Sequence, residues 1–223
     1  MIVRWIEPLI VGAVIAVCLV GLWVQALSMP FVTSVLVRAV DSATVTGLTE
    51  EATLTTAEAV RAYVVDAERP DPLPTTVEGR EGFSARAVKH LDDVRVVMSA
   101  ARRITIALGL VVALWLFVRY LQRKPAPVVS ACKAAGYILV LTPVLLGAAA
   151  LIDFDTFFAY FHKPLFYGDT WLFSADELLV QLFPEPFWMA SGGLLAGLTL
   201  SAAGALFLLA GLLGKLSSKS YPQ

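Results

Sequence analysis

Four long apolar stretches dominate the pattern of hydrophobic and polar positions along this chain, at residues 8–28, 104–121, 134–152 and 187–213. Each is long enough to cross the hydrocarbon core of a bilayer as a helix, which takes roughly 20 residues. Their apolar character is continuous rather than alternating, which favours helices over barrel strands. Of the 223 residues, 58% are hydrophobic and 16% are charged. The pattern predicts an all-α membrane protein with four transmembrane helices.

Charge predicts the orientation of the chain. Four crossings place both termini on one side, together with the short loop 122–133. Together with Arg119 at the inner end of the second span, these parts carry seven Lys and Arg residues and one acid, Glu7. Segments 38–103 and 153–186 carry ten basic and seventeen acidic residues. The positive-inside rule therefore predicts cytoplasmic N- and C-termini. Three arginines near span ends on the predicted outer side oppose this assignment.

The first outer segment, 38–103, is predicted to contain two helices separated by extended chain. Thr55 or Thr56 can cap a helix that runs to about Val64, and three closely spaced prolines then favour an extended stretch. Ser84 can cap a second helix that continues directly into the second span.

The second outer segment, 153–186, is rich in aromatic residues. Twelve of the chain's 23 fall in it or directly beside it, and such rings favour the membrane interface. Pro164 is predicted to end a helix, and Ser174 with Glu177 is typical of a capping box that opens a short helix ending at Pro184. We expect a lid that completes an extracytoplasmic cap of short helices and extended segments.

The chain contains only two histidines, His90 and His162, and the predicted topology places both on the outer surface. His90 shares a helical face with apolar residues at spacings of three and four, and His162 shares one with Asp155 and Phe158. A single histidine is more often a buried structural residue. An imidazole with its usual pKa of about 6.5 is nevertheless suited to general base catalysis, so the shared surface favours a functional pair.

Nearby acids could orient the imidazoles. Asp93 follows His90 by about one helical turn, and Asp155 precedes His162 by about two turns. A solvated carboxylate is an equally good interpretation of each acid. His162 falls in the last turn of its predicted helix, where the helix dipole favours a cation. The hypothesis is that His90 acts as the general base and that a charged His162 stabilises an oxyanion.

Several familiar catalytic motifs are absent. The sequence has no G-x-S-x-G elbow, no phosphate-binding loop and no H-E-x-x-H metal motif. Cys18 lies inside the first span and Cys132 on the predicted inner side, which excludes a disulfide between them. The sequence therefore favours a reaction in which the substrate brings its own nucleophile.

Two motifs resemble signature elements of the bacterial lipoprotein intramolecular transacylase family, and the order of elements is similar over nearly the whole chain. The first is His90-Leu91-Asp92-Asp93-Val94-Arg95. The second comprises Phe161-His162-Lys163-Pro164-Leu165-Phe166, Trp171, Asp176, Leu178-Leu179 and Phe183-Pro184-Glu185-Pro186-Phe187.

The resemblance implies an acyltransferase of the bacterial plasma membrane with its active site on the extracytoplasmic side. Such an enzyme moves an acyl chain from the sn-2 ester of a diacylglyceryl group to the α-amino group of a lipoprotein's N-terminal cysteine, which gives the lyso form. It implies diacylated lipoproteins as substrates among membrane phospholipids. No covalent acyl-enzyme, cofactor, metal or nucleic acid is expected.

The candidate site residues form three groups. The catalytic pair that the resemblance implies is His90 and His162. The acids expected to orient or support this pair are Asp93, Asp155, Asp176 and Glu185. The aromatic residues expected to face substrate or lipid are Phe158, Phe161, Phe166 and Trp171.

Three other functions fit the same residues. Water could be the acyl acceptor, which would make the protein a lipid or lipoprotein esterase. The two histidines could instead ligate a haem or a metal ion, or could serve only packing in an assembly subunit. The oligomeric state is left open.

Overall fold

The structure, a computed structural model, describes residues 3–65 and 71–219. In chain order its helices are α1 (Val3–Leu27), α2 (Pro30–Ala39), α3 (Ser42–Thr46), α4 (Glu50–Val65), α5 (Ala85–Leu121), α6 (Pro125–Ile152), α7 (Phe154–His162), α8 (Leu178–Leu182) and α9 (Glu185–Lys219). Strands β1 (Thr76–Val77) and β2 (Arg80–Glu81) pair antiparallel between α4 and α5.

Within the described ranges, four helices are long and apolar enough to cross a membrane, namely α1, α5, α6 and α9. Their apolar side chains are largely exposed in the isolated chain, as expected for surfaces that contact lipid. This confirms the all-α membrane fold with four transmembrane helices. The cytoplasmic placement of the termini stays a prediction.

Helix α5 is much longer than a bilayer is thick. At about 1.5 Å per residue its 37 residues extend about 56 Å, against roughly 30 Å of hydrocarbon. Most of its exposed large apolar residues, such as Ile106, Leu110 and Leu114, lie in the C-terminal half. That the C-terminal half crosses the membrane and the N-terminal half, with His90, lies outside it stays a prediction, which the length of the helix supports. Ser84 caps α5 as predicted, because its Oγ accepts a hydrogen bond from the Ala87 amide at 3.1 Å.

The chain divides into two compact units. Of the described residues, the bundle unit comprises 3–24, 102–148 and 194–219, and the histidine unit comprises 25–65, 71–101 and 149–193. In the bundle unit, α6 and α9 approach closely at Gly136, where an added Cβ would lie 2.7 Å from the Phe207 ring. Small residues permit such approaches between membrane helices.

The histidine unit has its own apolar core. Leu36 and Val37 of α2 pack with Leu178 and Leu182 of α8 in one buried cluster. A polar link accompanies this packing, because the fully buried Ser42 hydroxyl donates to the Leu182 carbonyl at 2.9 Å. α8 is therefore joined to α2 by apolar packing and to α3 by a buried hydrogen bond.

The start of α4 differs from its prediction. Thr49 caps the helix by accepting a hydrogen bond from the Ala52 amide at 3.2 Å, so Thr55 and Thr56 lie inside the helix. The Thr56 hydroxyl instead donates to the Ala52 carbonyl at 2.7 Å. Of the proline stretch, Pro70 lies outside the described residues, and residues 71–74 form neither helix nor strand.

The start of α8 also differs. The capping box at Ser174 was wrong: Glu177 precedes the helix, and the Ser174 side chain is hydrogen-bonded to Asp176. α8 ends at Leu182, two residues before the predicted proline. The β1–β2 hairpin was not predicted, because two-residue strands leave no alternating pattern in a sequence.

We predict that Ser42→Ala lowers the stability of the fold by about 1–3 kcal/mol, because it leaves the buried Leu182 carbonyl without its donor. The midpoint of unfolding in detergent would measure the effect. Ser34→Ala is the matched control, since the Ser34 hydroxyl bonds only to the Pro30 carbonyl at the start of its own helix. Equal midpoints for the two variants would contradict the role assigned to Ser42.

Candidate functional site

His90 is positioned by the capped N-terminal part of α5. Ala87, His90 and Leu91 are all buried on one side of the helix, and His90 is only 8% exposed. The predicted helical face is thus turned inward, and its imidazole points with the apolar side chains.

His162 is positioned by the whole of α7. The Asp153 side chain caps the start of this helix by accepting from the Thr156 amide at 3.0 Å, and His162 is its last residue. Its Nδ1 lies 2.8 Å from the Phe158 carbonyl oxygen. A carbonyl can only accept, so Nδ1 carries the hydrogen and Nε2 is the free lone pair of a neutral ring.

The two imidazoles meet within the histidine unit. Their centroids lie 6.2 Å apart, and His162 is 8% exposed like its partner. Phe166 contacts both, at 4.9 Å from the His90 centroid and 5.5 Å from that of His162. The structure therefore brings together two residues that are 72 positions apart in the sequence.

Further aromatic rings enclose the pair. Trp171 stacks on His162 at 5.1 Å with 28° between the planes, and Phe158 lies 3.8 Å from the same ring. Phe173 meets His90 edge-on at 5.6 Å. We call these residues, together with Phe166, the aromatic cover. It consists of Phe158, Phe166, Trp171 and Phe173.

The cover sets the protonation of both histidines. Burial and, to a smaller extent, the neighbouring His162 lower the pKa of His90 to about 4, although Asp93 raises it in part. Burial also lowers the pKa of His162, although the hydrogen bond to the Phe158 carbonyl raises it in part. Both rings are therefore neutral at pH 7. The expectation of a charged His162 at rest is corrected, because burial lowers its pKa by more than the hydrogen bond to the Phe158 carbonyl raises it.

The four predicted supporting acids do not bond to the imidazoles. Asp93 forms an ion pair with Lys89 at 2.5 Å, while Asp155, Asp176 and Glu185 are exposed. The Phe158 carbonyl takes the orienting position on His162 that was assigned to Asp155. The His90 Nδ1 is buried and has no hydrogen-bond partner among the described residues.

The predicted aromatic residues differ in their exposure. Phe161 is 55% exposed, as expected for a residue that faces lipid, and its ring still contacts His162. Phe166 and Trp171 are buried against the histidines, and whether they face substrate stays a prediction. Phe173 was missed by the sequence analysis, because nothing in its local pattern separates it from its aromatic neighbours.

No cluster of three or more potential metal ligands occurs within residues 3–65 and 71–219. His90 and His162 are the only histidines in the chain. No carboxylate or thiol of the described residues lies close enough to form a metal site with them.

Comparison with known proteins identifies the family. The sequence model described as "Lipoprotein intramolecular transacylase Lit" matches residues 9–188. The chain belongs to this family. An uncharacterized relative from Aquifex aeolicus (strain VF5) is 26% identical over 137 residues, which span 61% of this chain and 60% of the relative, less than two thirds of its length.

The fold of this Lit family member is similar to that of solved structures. The membrane integral lipoprotein intramolecular transacylase Lit from Bacillus cereus superposes with a TM-score of 0.83 at 17% identity, over 97% of this chain and 98% of the other. Two structures of that protein with a replaced histidine each give a TM-score of 0.78 at 16% identity. The arginine variant matches over 98% of this chain and 95% of its own, and the alanine variant over 97% and 96%.

We predict that neither histidine titrates near its ordinary pKa. With ¹⁵N-labelled histidine in nanodiscs, NMR should give a midpoint near 4 for His90 and one below about 6.5 for His162. Since His90 is a base whose pKa is lowered, it is neutral above about pH 4 and becomes charged only below it.

Two single substitutions would assign the NMR signals and test the causes of the pKa shift. His162→Gln should raise the pKa of His90, because it removes the neighbouring ring, whereas Asp93→Asn should lower it. A His90 midpoint close to about 6.5 in the unsubstituted protein would show that the ring is hydrated and would contradict its burial.

Proposed function

We propose that this chain is a lipoprotein intramolecular transacylase that uses His90 and His162 directly. The observation that carries the proposal is the meeting of two buried, neutral imidazoles beneath the aromatic cover, 6.2 Å between centroids, in a member of the Lit family. The substrate is a diacylated lipoprotein in the membrane. The charge pattern supports an extracytoplasmic active site.

The proposed reaction joins two groups of one substrate. The α-amino nitrogen attacks the carbonyl carbon of the sn-2 ester, an N–C bond forms, and the ester C–O bond breaks. The amine proton ends on the glyceryl oxygen. Because both groups belong to the same molecule, proximity can supply roughly 7–11 kcal/mol of the barrier, and no covalent acyl-enzyme is needed.

His162 is the better candidate for the base. Its Nδ1–H is held by the Phe158 carbonyl, which leaves Nε2 to accept the amine proton and return it to the leaving oxygen. This reverses the roles in our sequence hypothesis, which rested on a charged His162. A ring that is neutral at rest can take a proton, and a ring that is already charged cannot.

His90 is the better candidate for the oxyanion donor. Its buried Nδ1 has no partner in the described part of the chain. In the tautomer that carries the hydrogen on Nδ1, this atom is free to donate to a hydrogen-bond acceptor of the substrate. A neutral imidazole N–H aimed at the developing oxyanion stabilises the transition state without a fixed charge. Asp93 is paired with Lys89 and acts on His90 only by electrostatic attraction, which raises the pKa of the imidazole.

We predict that His162→Gln lowers turnover by about 10²–10⁴-fold through loss of the base. His90→Gln should lower it by about 10²–10³-fold through loss of the donor. To measure both effects, purified protein in nanodiscs would be incubated with a synthetic diacylglyceryl lipopeptide. Mass spectrometry would then measure the N-acyl product. Glu81→Gln, at an exposed position on β2, is the control and should keep full activity.

Two outcomes would count against the proposal. Full activity in either histidine variant would remove that residue from the mechanism. Release of free fatty acid by the unsubstituted protein, in place of the N-acyl product, would indicate the esterase.

A further inference from the structure

We propose that the aromatic cover, through Phe166 above all, decides that the acyl chain passes to the amine and not to water. This inference rests on the proposed transacylase function and names the residue that sets its specificity. Phe166 is a positioning residue in this account, since it shields the reacting groups and exchanges no proton.

The place of Phe166 in the site is the first support. It is the one ring of the cover whose contacts with both imidazoles are described, at 4.9 Å from His90 and 5.5 Å from His162. It is itself only 8% exposed. Its amide donates to the His162 carbonyl at 3.0 Å, so the turn after α7 fixes the ring over the pair.

The segment after Phe166 is also held in place. The Trp171 indole N–H donates to the Gly168 carbonyl at 3.1 Å, and Gly168 has φ of 74°, a conformation that favours glycine. Arg86 at the start of α5 donates to the Leu172 carbonyl at 3.1 Å. These bonds tie the loop to itself and to the helix that carries His90, and they keep Trp171 stacked on His162.

Chemistry makes such shielding necessary. A base that accepts a proton from the amine can equally accept one from water. Water would then form a new O–C bond, the same ester C–O bond would break, and the products would be a fatty acid and a glyceryl hydroxyl. Since both acceptors would use the same imidazole pair, exclusion of water from the ester separates transfer from hydrolysis.

The test is the ratio of the two products. Unsubstituted protein, Phe166→Ala, Phe166→Leu and the control Tyr167→Ala would be incubated in nanodiscs with a diacylglyceryl lipopeptide in H₂¹⁸O. Mass spectrometry then compares ¹⁸O-labelled fatty acid with N-acyl lipopeptide. Tyr167 is fully exposed, so its ring shields nothing, and its variant should match the unsubstituted protein.

We expect the ratio of fatty acid to N-acyl product to rise about tenfold or more in Phe166→Ala, and by less in Phe166→Leu, which keeps most of the apolar volume. General loss of stability would lower both products together and leave the ratio unchanged.

An unchanged ratio in both Phe166 variants would overturn the inference, and so would a complete loss of both products in both variants. Failure of the underlying function is separate, because it would appear as fatty acid without N-acyl product in the unsubstituted protein.

Discussion

Burial of two imidazoles beside each other, with no carboxylate of the described residues hydrogen-bonded to either ring, is the constraint on which the histidine unit depends. A buried ring that became charged would lose its hydration, and each ring disfavours charge on the other. Burial therefore favours the neutral form of the pair, in agreement with the lowered pKa of both residues. The aromatic cover creates this condition, since its rings contact the imidazoles where water would otherwise lie.

The same constraint links the local chain to the chemistry. α7 is capped at Asp153 and ends at His162, so one helix both places the ring and supplies the Phe158 carbonyl that fixes its tautomer. The Ser84 cap fixes the start of α5 in the same way and so positions His90. Neutral rings, one with a free lone pair and one with an unpartnered nitrogen, suit a substrate that carries its own nucleophile and its own ester.

The sequence predicts the membrane fold well and the details of the site less well. The four spans could be predicted because a helix in lipid needs a continuous apolar run. The Ser84 cap could be predicted because serine directly before a helical pattern favours that position. The orienting acids could not, because spacing shows that Asp155 can share a face with His162 but cannot show that the closer Phe158 carbonyl takes the position. Burial of Phe166 and Trp171 depends on contacts between distant segments, and an aromatic residue in the sequence carries no sign of which surface it covers.

Tandem mass spectrometry of a lipoprotein's N-terminal peptide most directly tests the central claim, that this chain moves an acyl chain within one substrate molecule. The chain would be expressed in a bacterial host that makes only diacylated lipoproteins. We expect one acyl group on the α-amino nitrogen and one on the glyceryl group, with the total unchanged. A peptide whose α-amino group stays free while both acyl groups remain on the glycerol, or whose glycerol loses an acyl group that appears nowhere else on the peptide, would contradict the account.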